Sequence, residues 1–595
     1  MKQLWTGNEA VARALYEAGV SFASAYPGTP STEILENLTL YHEDMHVEWA
    51  PNEKVALEAA IGASMAGVRS AAAMKHVGLN VAADPLMTLS YTGVNGGLLI
   101  ISADDPELHS SQNEQDNRIY AKLAKIPCVE ITGAADAAEA IKESYYISET
   151  YDTPVLFRMT TRVCHSKELV ESGEKTNFAP IPYVKNAFKY VSSPANSRKK
   201  RPMVEERMAK LSAYSEQSPL NTVEDNGASV GVIASGVSAH YAREVFEEGA
   251  NYLILRCTYP LPIEKIRAFY ESVETCYVIE ELEPFIEEQL RLAGMQVIGK
   301  ERIPVMGELN VDIVREALLG IKPVYQEAPA ELVAPRPPIL CSGCPHRGFF
   351  YEAKKFRDLI VTGDIGCYTL GAAPPLEVTD SLVCMGASIS MGHGVYAAMK
   401  KNGIEKKVMA VIGDSTFLHS GMTSLLNSVY NNSPTVNVIL DNRITAMTGH
   451  QDNPGTGYDL MGNPAPEIDF EQIVRALGVK KVRTVNPLNL ADVRAAIKEC
   501  LEFKEGPSVI ISRWPCALKR YSERDLNEFP LEKSKSVVIE EQCRGCLNCV
   551  RTGCPSIRFD KEKKKASIDS YSCVGCGVCI QSCPFDAIVR EGGNK

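Results

Sequence analysis

Eight of the 18 cysteines fall between Cys543 and Cys583. CRGCLNCVRTGCP carries Cys543, Cys546, Cys549 and Cys554, and CVGCGVCIQSCP carries Cys573, Cys576, Cys579 and Cys583. Three thiolates two residues apart can wrap one iron–sulfur cubane, while the fourth, set before proline, reaches across to the neighbouring cubane. The spacing therefore groups Cys543, Cys546 and Cys549 with Cys583, and Cys573, Cys576 and Cys579 with Cys554, as two 4Fe-4S clusters. Four residues rather than three separate Cys549 from Cys554, an extension that cross-ligation tolerates. Zinc ribbons want two CxxC pairs, and disulfides do not suit a chain that opens without a secretion signal. Between the motifs, SIRFDKEKKKASIDSYS reads as a hairpin with a lysine-rich, solvated turn.

A second constellation lies upstream, from Val408 to Gln451. An apolar strand delivers Gly413-Asp414, a helical stretch follows, and a second strand delivers Asp441-Asn442. Oxygen donors at the carboxyl ends of parallel strands suit a hard divalent ion holding a diphosphate. The segment resembles the diphosphate-binding motif of thiamine diphosphate enzymes, in the form seen in 2-oxoacid:ferredoxin oxidoreductases. The resemblance implies that Asp414 and Asn442 bind Mg²⁺ by side chain and Ile444 by its carbonyl. It also implies that Gly413 lets the backbone approach the phosphate.

Such a cofactor needs a carboxylic acid against its aminopyrimidine. NEKVALEAAIGASMAGVRS offers Glu53 and Glu58. Each has a glycine nine positions on, but only Glu58 has the Gly67-Val68-Arg69 continuation of the family pattern, so Glu58 is the expected acid. AYPGTPSTEI resembles the YPxTPS element of that family, which implies that Thr29 faces the substrate carboxylate. Arg118, in HSSQNEQDNR, is a candidate second carboxylate contact; the competing role is a surface salt bridge.

Cys341 and Cys344 in ILCSGCPHRGFF would be weak evidence alone. Cys367 in DIGCYTLG follows Cys344 by 23 residues, and Cys516 follows the strand SVIISRWP. In 2-oxoacid:ferredoxin oxidoreductases, cysteines in this order hold a cluster beside thiamine, which implies a third 4Fe-4S cluster here. Pro345-His346 departs from the Gly-Glu of some relatives, and His346 is an expected cofactor contact. The alternative for these four is packing as small hydrophobes.

The elements that must position these groups fill 595 residues, enough for three to five domains. The formal net charge of −12 offers no footprint for nucleic acid, and no apolar run reaches the ~18 residues of a membrane span. A cytoplasmic location is expected. Polar residues 191–227 read as a linker, and a Pro/Ala-rich break falls near 322–338. The expected fold is α/β: a pyrimidine-binding thiamine domain (1–190), a transketolase C-terminal-like domain (228–325) and a diphosphate-binding thiamine domain (336–525). An α+β two-cluster ferredoxin domain (535–595) closes the chain.

This order closely resembles the alpha subunits of indolepyruvate:ferredoxin oxidoreductases over essentially the whole chain. The resemblance implies oxidative decarboxylation of an aryl 2-oxo acid with coenzyme A, giving aryl-acetyl-CoA, CO₂ and reduced ferredoxin. It also implies a smaller beta subunit in an assembly such as alpha2beta2. Phenylglyoxylate or a branched 2-oxo acid are alternative substrates. An electron-transfer subunit with a degenerate thiamine site conflicts with the presence of all the expected acid and metal ligands, and a non-redox thiamine lyase conflicts with twelve candidate ligand cysteines.

Overall fold

The computed structural model describes residues 2–325, 328–334, 336–530 and 534–592. The chain divides into two compact units, residues 1–327 and 328–595.

The first unit contains strands β1 (Lys2–Thr6), β2 (Phe22–Ala25), β3 (His46–Trp49), β4 (Ser70–Lys75), β5 (Leu98–Asp104), β6 (Cys128–Glu130), β7 (Val155–Thr160) and β8 (Lys167–Glu171). It continues with β9 (Asn221–Glu224), β10 (Val230–Ser235), β11 (Asn251–Leu255), β12 (Cys257–Tyr259) and β13 (Thr275–Ile279). Its main sheet runs in the order β12-β6-β7-β5-β4-β2-β3. β5 (LLIISAD) and β7 (VLFRMT) are buried at every position, as strands covered on both faces must be. All neighbours are parallel except β12, which joins β6 antiparallel. The loops after β2, β3, β4 and β5 therefore gather at one edge, the ligand-binding edge of such sheets. A second sheet, β13-β10-β11-β9, matches the expected transketolase C-terminal-like layer in its α/β alternation, and β12 ties the same segment to the main sheet.

The stretch read as a linker is ordered structure. Ser193 caps a helix over Pro194–Ser215, with Val204, Met208, Leu211 and Ser215 buried along one stripe. β9 then pairs antiparallel with β11. Polar composition concealed this stripe because only one helical face carries it.

The second unit holds a parallel sheet in the order β14-β15-β16-β18-β17, built from β14 (Leu359–Thr362), β15 (Lys407–Gly413), β16 (Val436–Asp441), β17 (Lys481–Val485) and β18 (Ser508–Arg513). Alternate side chains fill two cores, with Met409, Val411, Val438 and Leu440 on one face and Ala410, Ile412, Ile439 and Ile511 on the other. The tail adds β19 (Ser536–Val538), β20 (Ile557–Asp560), β21 (Lys565–Ile568) and β22 (Ile588–Arg590), paired antiparallel as β19-β22 and β20-β21. β20 and β21 form the hairpin expected between the cysteine motifs. Among the described residues no helix is long and apolar enough to cross a membrane.

Candidate active site and electron relay

In the second unit, adjacent strands β15 and β16 end at Gly413-Asp414 and Asp441-Asn442, so the two proposed metal ligands emerge side by side. One Asp414 carboxylate oxygen accepts from the Ser415 amide (2.8 Å). The other, Oδ2, is buried without a hydrogen-bond partner among the described residues. Burial pushes the Asp414 carboxyl up, and neighbouring Asp441 adds to that. Arg513 Nε donates to Asp441 (2.6 Å), leaving Asp414 as the carboxylate that lacks a cation. A divalent ion at Asp414 and Asn442 would supply it, and the donor set fits Mg²⁺. The Asn442 side-chain oxygen accepts from the Ile444 amide (3.4 Å), closing the turn at the strand end.

A β-carbon added at Gly413 would lie 2.5 Å from the Tyr368 ring, so Tyr368 is what this glycine accommodates in the structure. Tyr368 in turn donates to the Ile365 carbonyl (2.6 Å) and meets His346 edge-on, with ring centroids 5.8 Å apart. Burial holds the His346 imidazole at about 4, hence neutral near pH 7.

In the first unit, Asn52 caps the helix Glu53–Met65. Glu53 is 5% exposed, and its side chain lies so close to Gly78 that a β-carbon there would approach it at 2.7 Å. Glu58 does not occupy a buried position: its side chain is 45% exposed and ion-paired with Lys54. Five residues along a helix of 3.6 residues per turn rotate it about 140° away from Glu53. The continuation after Gly67 that favoured Glu58 carries no information about this rotation.

Thr29 lies in the turn after β2. The Ser31 amide and hydroxyl both donate to the Gly28 carbonyl (2.9 and 3.0 Å), and the Asn8 amide group donates to the Pro30 carbonyl (2.7 Å). Arg118 departs from both of its expected roles. It is fully buried, donates to Asp116 (2.9 Å), Glu280 (2.8 Å) and the Glu281 carbonyl (3.1 Å), and so has its guanidinium committed inside the unit. Arg158, bound to Asp104 (2.6 Å) and Glu130 (2.9 Å), completes this buried charge network.

The scattered cysteines converge. The electrostatic neighbours of Cys344 include Cys367 and Cys516, and those of Cys367 include Cys516 and Cys341. The Cys516 amide donates to the Asn442 carbonyl (2.9 Å), which sets this residue beside the proposed metal ligands. In the tail, Cys543, Cys546, Cys549 and Cys583 line one small cavity, and Cys554 and Cys573 neighbour Cys576 and Cys579.

Three family models match the chain. Residues 13–217 match "Pyruvate flavodoxin/ferredoxin oxidoreductase, thiamine diP-bdg". Residues 364–512 match "Thiamine pyrophosphate enzyme, C-terminal TPP binding domain", and 535–584 match "4Fe-4S dicluster domain". Indolepyruvate oxidoreductase subunit IorA of Pyrococcus horikoshii is 40% identical, over 99% of this chain and 97% of its own length. The IorA subunit of Archaeoglobus fulgidus is 41% identical over the same shares. The chain belongs to the IorA family of indolepyruvate oxidoreductase subunits.

As an IorA-family chain it is an oxidoreductase with thiamine diphosphate-binding domains and a C-terminal 4Fe-4S dicluster domain, serving ferredoxin-linked oxidative decarboxylation of 2-oxo acids. Sequence reasoning missed two groups in this IorA-type framework. Lys75 ends β4 beside the Thr29 turn, where a β-carbon on Gly28 would touch its side chain at 3.4 Å. Burial lowers the Lys75 ammonium below the usual lysine value, against the pull of Asp105 and Glu53. Its signal was a lone cation closing a strand of small residues. Arg347, next to His346, gave no signal because one of its partners, the Thr552 carbonyl, comes from the tail.

Proposed function

We propose that the chain is the catalytic alpha subunit of an enzyme that oxidises aryl 2-oxo acids, indolepyruvate foremost. With coenzyme A and oxidised ferredoxin it yields the aryl-acetyl-CoA, CO₂ and reduced ferredoxin, working with a smaller beta subunit in an alpha2beta2-type assembly. The observation that carries this reading is the Cys516–Asn442 hydrogen bond, which joins a four-cysteine set to the metal ligands. A redox centre there would receive electrons where they are released.

Bound thiamine diphosphate supplies the electron sink that lets a 2-oxo acid lose CO₂. Asp414, Asn442 and the Ile444 carbonyl would hold Mg²⁺, which would supply positive charge for the diphosphate. Glu53, buried at the start of its helix, takes the role of the acid that meets the aminopyrimidine; water is kept from it as it is not from Glu58. Thr29 and Lys75 receive the substrate carboxylate, Lys75 supplying the positive charge that Arg118 cannot. Cys341, Cys344, Cys367 and Cys516 hold the first cluster of the relay. His346, neutral and packed on Tyr368, shapes the wall beside that cluster.

Anaerobic turnover with indolepyruvate, coenzyme A and a viologen dye, with the beta partner present, tests this reading. Indolepyruvate should be the best substrate. Turnover of phenylglyoxylate or a branched 2-oxo acid in its place would overturn the aryl-pyruvate assignment.

A further inference from the structure

Arg347 is 2% exposed, in the first turn of the helix His346–Ala353. Its Nη2 donates to the carbonyls of Leu340 (2.7 Å) and Cys341 (2.9 Å), and its Nη1 to that of Thr552 (2.8 Å). Among the described residues Nε is buried without a hydrogen-bond partner and no carboxylate pairs with this guanidinium. A buried cation with only carbonyl partners is costly unless a negative charge lies nearby.

Two sets of thiols flank it. On one side is the Cys341–Cys344 loop, whose Cys341 carbonyl accepts from Arg347 Nη2 (2.9 Å), and on the other the tail loop of Thr552, two residues before Cys554, whose carbonyl accepts from Nη1 (2.8 Å). The residue before Cys554 is Gly553, at φ +73°, where a β-carbon would stand 3.2 Å from Arg347 Nη1. The two cysteine loops themselves touch. The Ser342 and Ser556 hydroxyls are 2.7 Å apart, and a β-carbon on Gly343 would collide with Val574 at 2.0 Å.

We propose that Arg347 is the shared counter-charge of two iron–sulfur clusters, the one held by Cys341, Cys344, Cys367 and Cys516 and the one held by Cys554, Cys573, Cys576 and Cys579, and that it raises the reduction potential of both. This rests on the three-cluster reading above. A thiolate-ligated cluster gains one negative charge on reduction, so a fixed cation in a low-dielectric site favours the reduced form. One cation between two clusters lifts them together and keeps the step between them small. The three carbonyl bonds fix the guanidinium at the junction, a geometry that a lysine ammonium reproduces only in charge.

The test is a redox titration of the whole alpha–beta complex followed by electron paramagnetic resonance, with iron content measured alongside. Arg347→Gln and Arg347→Met should lower the midpoint potentials of two of the three clusters and leave the third, held by Cys543, Cys546, Cys549 and Cys583, in place. Arg347→Lys should restore most of both shifts. Unmoved potentials in clusters of normal spectrum and iron content would overturn the proposal and leave Arg347 a structural tie. Should neither neutral variant load iron, citrulline incorporated at position 347 decides, since it loses the charge but keeps N–H donors for the same carbonyls: the same two potentials should fall, and unmoved potentials would overturn the proposal. Iron near eight atoms per chain in wild type, with one responding cluster instead of two, would instead sink the three-cluster reading and with it the shared role.

Discussion

Glu53 and Glu58 share one helix and differ in what surrounds them. In the proposed function the acid that meets the aminopyrimidine is Glu53, so Glu53→Gln should lower turnover roughly 10²–10⁴-fold with cluster spectra intact. Glu58→Gln should change turnover little, since it removes only an exposed pair with Lys54. The reverse order in steady-state rates would return the role to Glu58. At Lys75, loss of a charge-assisted contact is worth about 1.5–3 kcal/mol, so Lys75→Met should raise KM for the 2-oxo acid roughly tenfold to a hundredfold. KM for coenzyme A should stay put; equal rises in both would mark a collapse of the site.

Glu281 offers a stability test in the same network as Arg118. Burial pushes its carboxyl up from 4.5 to about 7, despite the Leu309 amide donating to it. A raised folded-state value means the folded chain holds the proton more tightly than the unfolded chain. The stabilisation is therefore complete below the unfolded value and is lost as pH rises through about 7. Its span is about 3 kcal/mol. Glu281→Gln should accordingly flatten the dependence of melting temperature on pH between about 5 and 8. An unchanged slope in thermal scans would assign that titration to another group.

At the scale of elements, the helix Pro194–Ser215 shows how a charge-rich stretch becomes architecture. Ser193 accepts from the Asn196 amide, Pro194 opens the first turn, and Arg201–Glu205 and Glu206–Lys210 line its outer face. The buried stripe anchors it. Leu211→Ala should cost about 2–5 kcal/mol of unfolding free energy, whereas Glu206→Ala should stay within about 0.5 kcal/mol. Comparable losses from both in denaturant titrations would mean that the stripe does not hold the helix. The parallel sheet of the second unit works differently: its strand ends at Thr362, Gly413, Asp441 and Arg513 are each followed closely in the chain by Cys367, Asp414, Asn442 or Cys516. Four chemically separate residues are thus gathered by one sheet edge.

At the scale of the whole molecule, the proposed relay runs from one module to the next. The cross-ligated tail predicts that Cys583→Ser removes the cluster of Cys543, Cys546 and Cys549 and spares that of Cys573, Cys576 and Cys579. Turnover with a small dye should persist while ferredoxin reduction falls, because the first clusters still accept electrons but the outermost step is gone. Loss of the Cys573 cluster in that variant's resonance spectrum would reverse the ligand grouping.

The sequence by itself determined the tail's two cysteine motifs, the Gly413-Asp414 and Asp441-Asn442 strand ends, and the alternation of strands and helices. Each is a local pattern, with ligands spaced by the geometry of the object they hold or apolar residues spaced by the period of their element. The convergence of Cys341, Cys344, Cys367 and Cys516 was legible only through resemblance, since nothing local brings residues so distant in sequence together. Tertiary structure alone decided the rest. Whether a carboxylate is buried, as Glu53 is, or exposed, as Glu58 is, depends on what packs against a helix. Arg118 looked available because its partners Glu280 and Glu281 lie far along the chain, and Arg347 became conspicuous only when the tail closed over it. Local spacing fixes which ligands a loop can offer; burial, and the charge that burial leaves uncompensated, is set by neighbours remote in sequence.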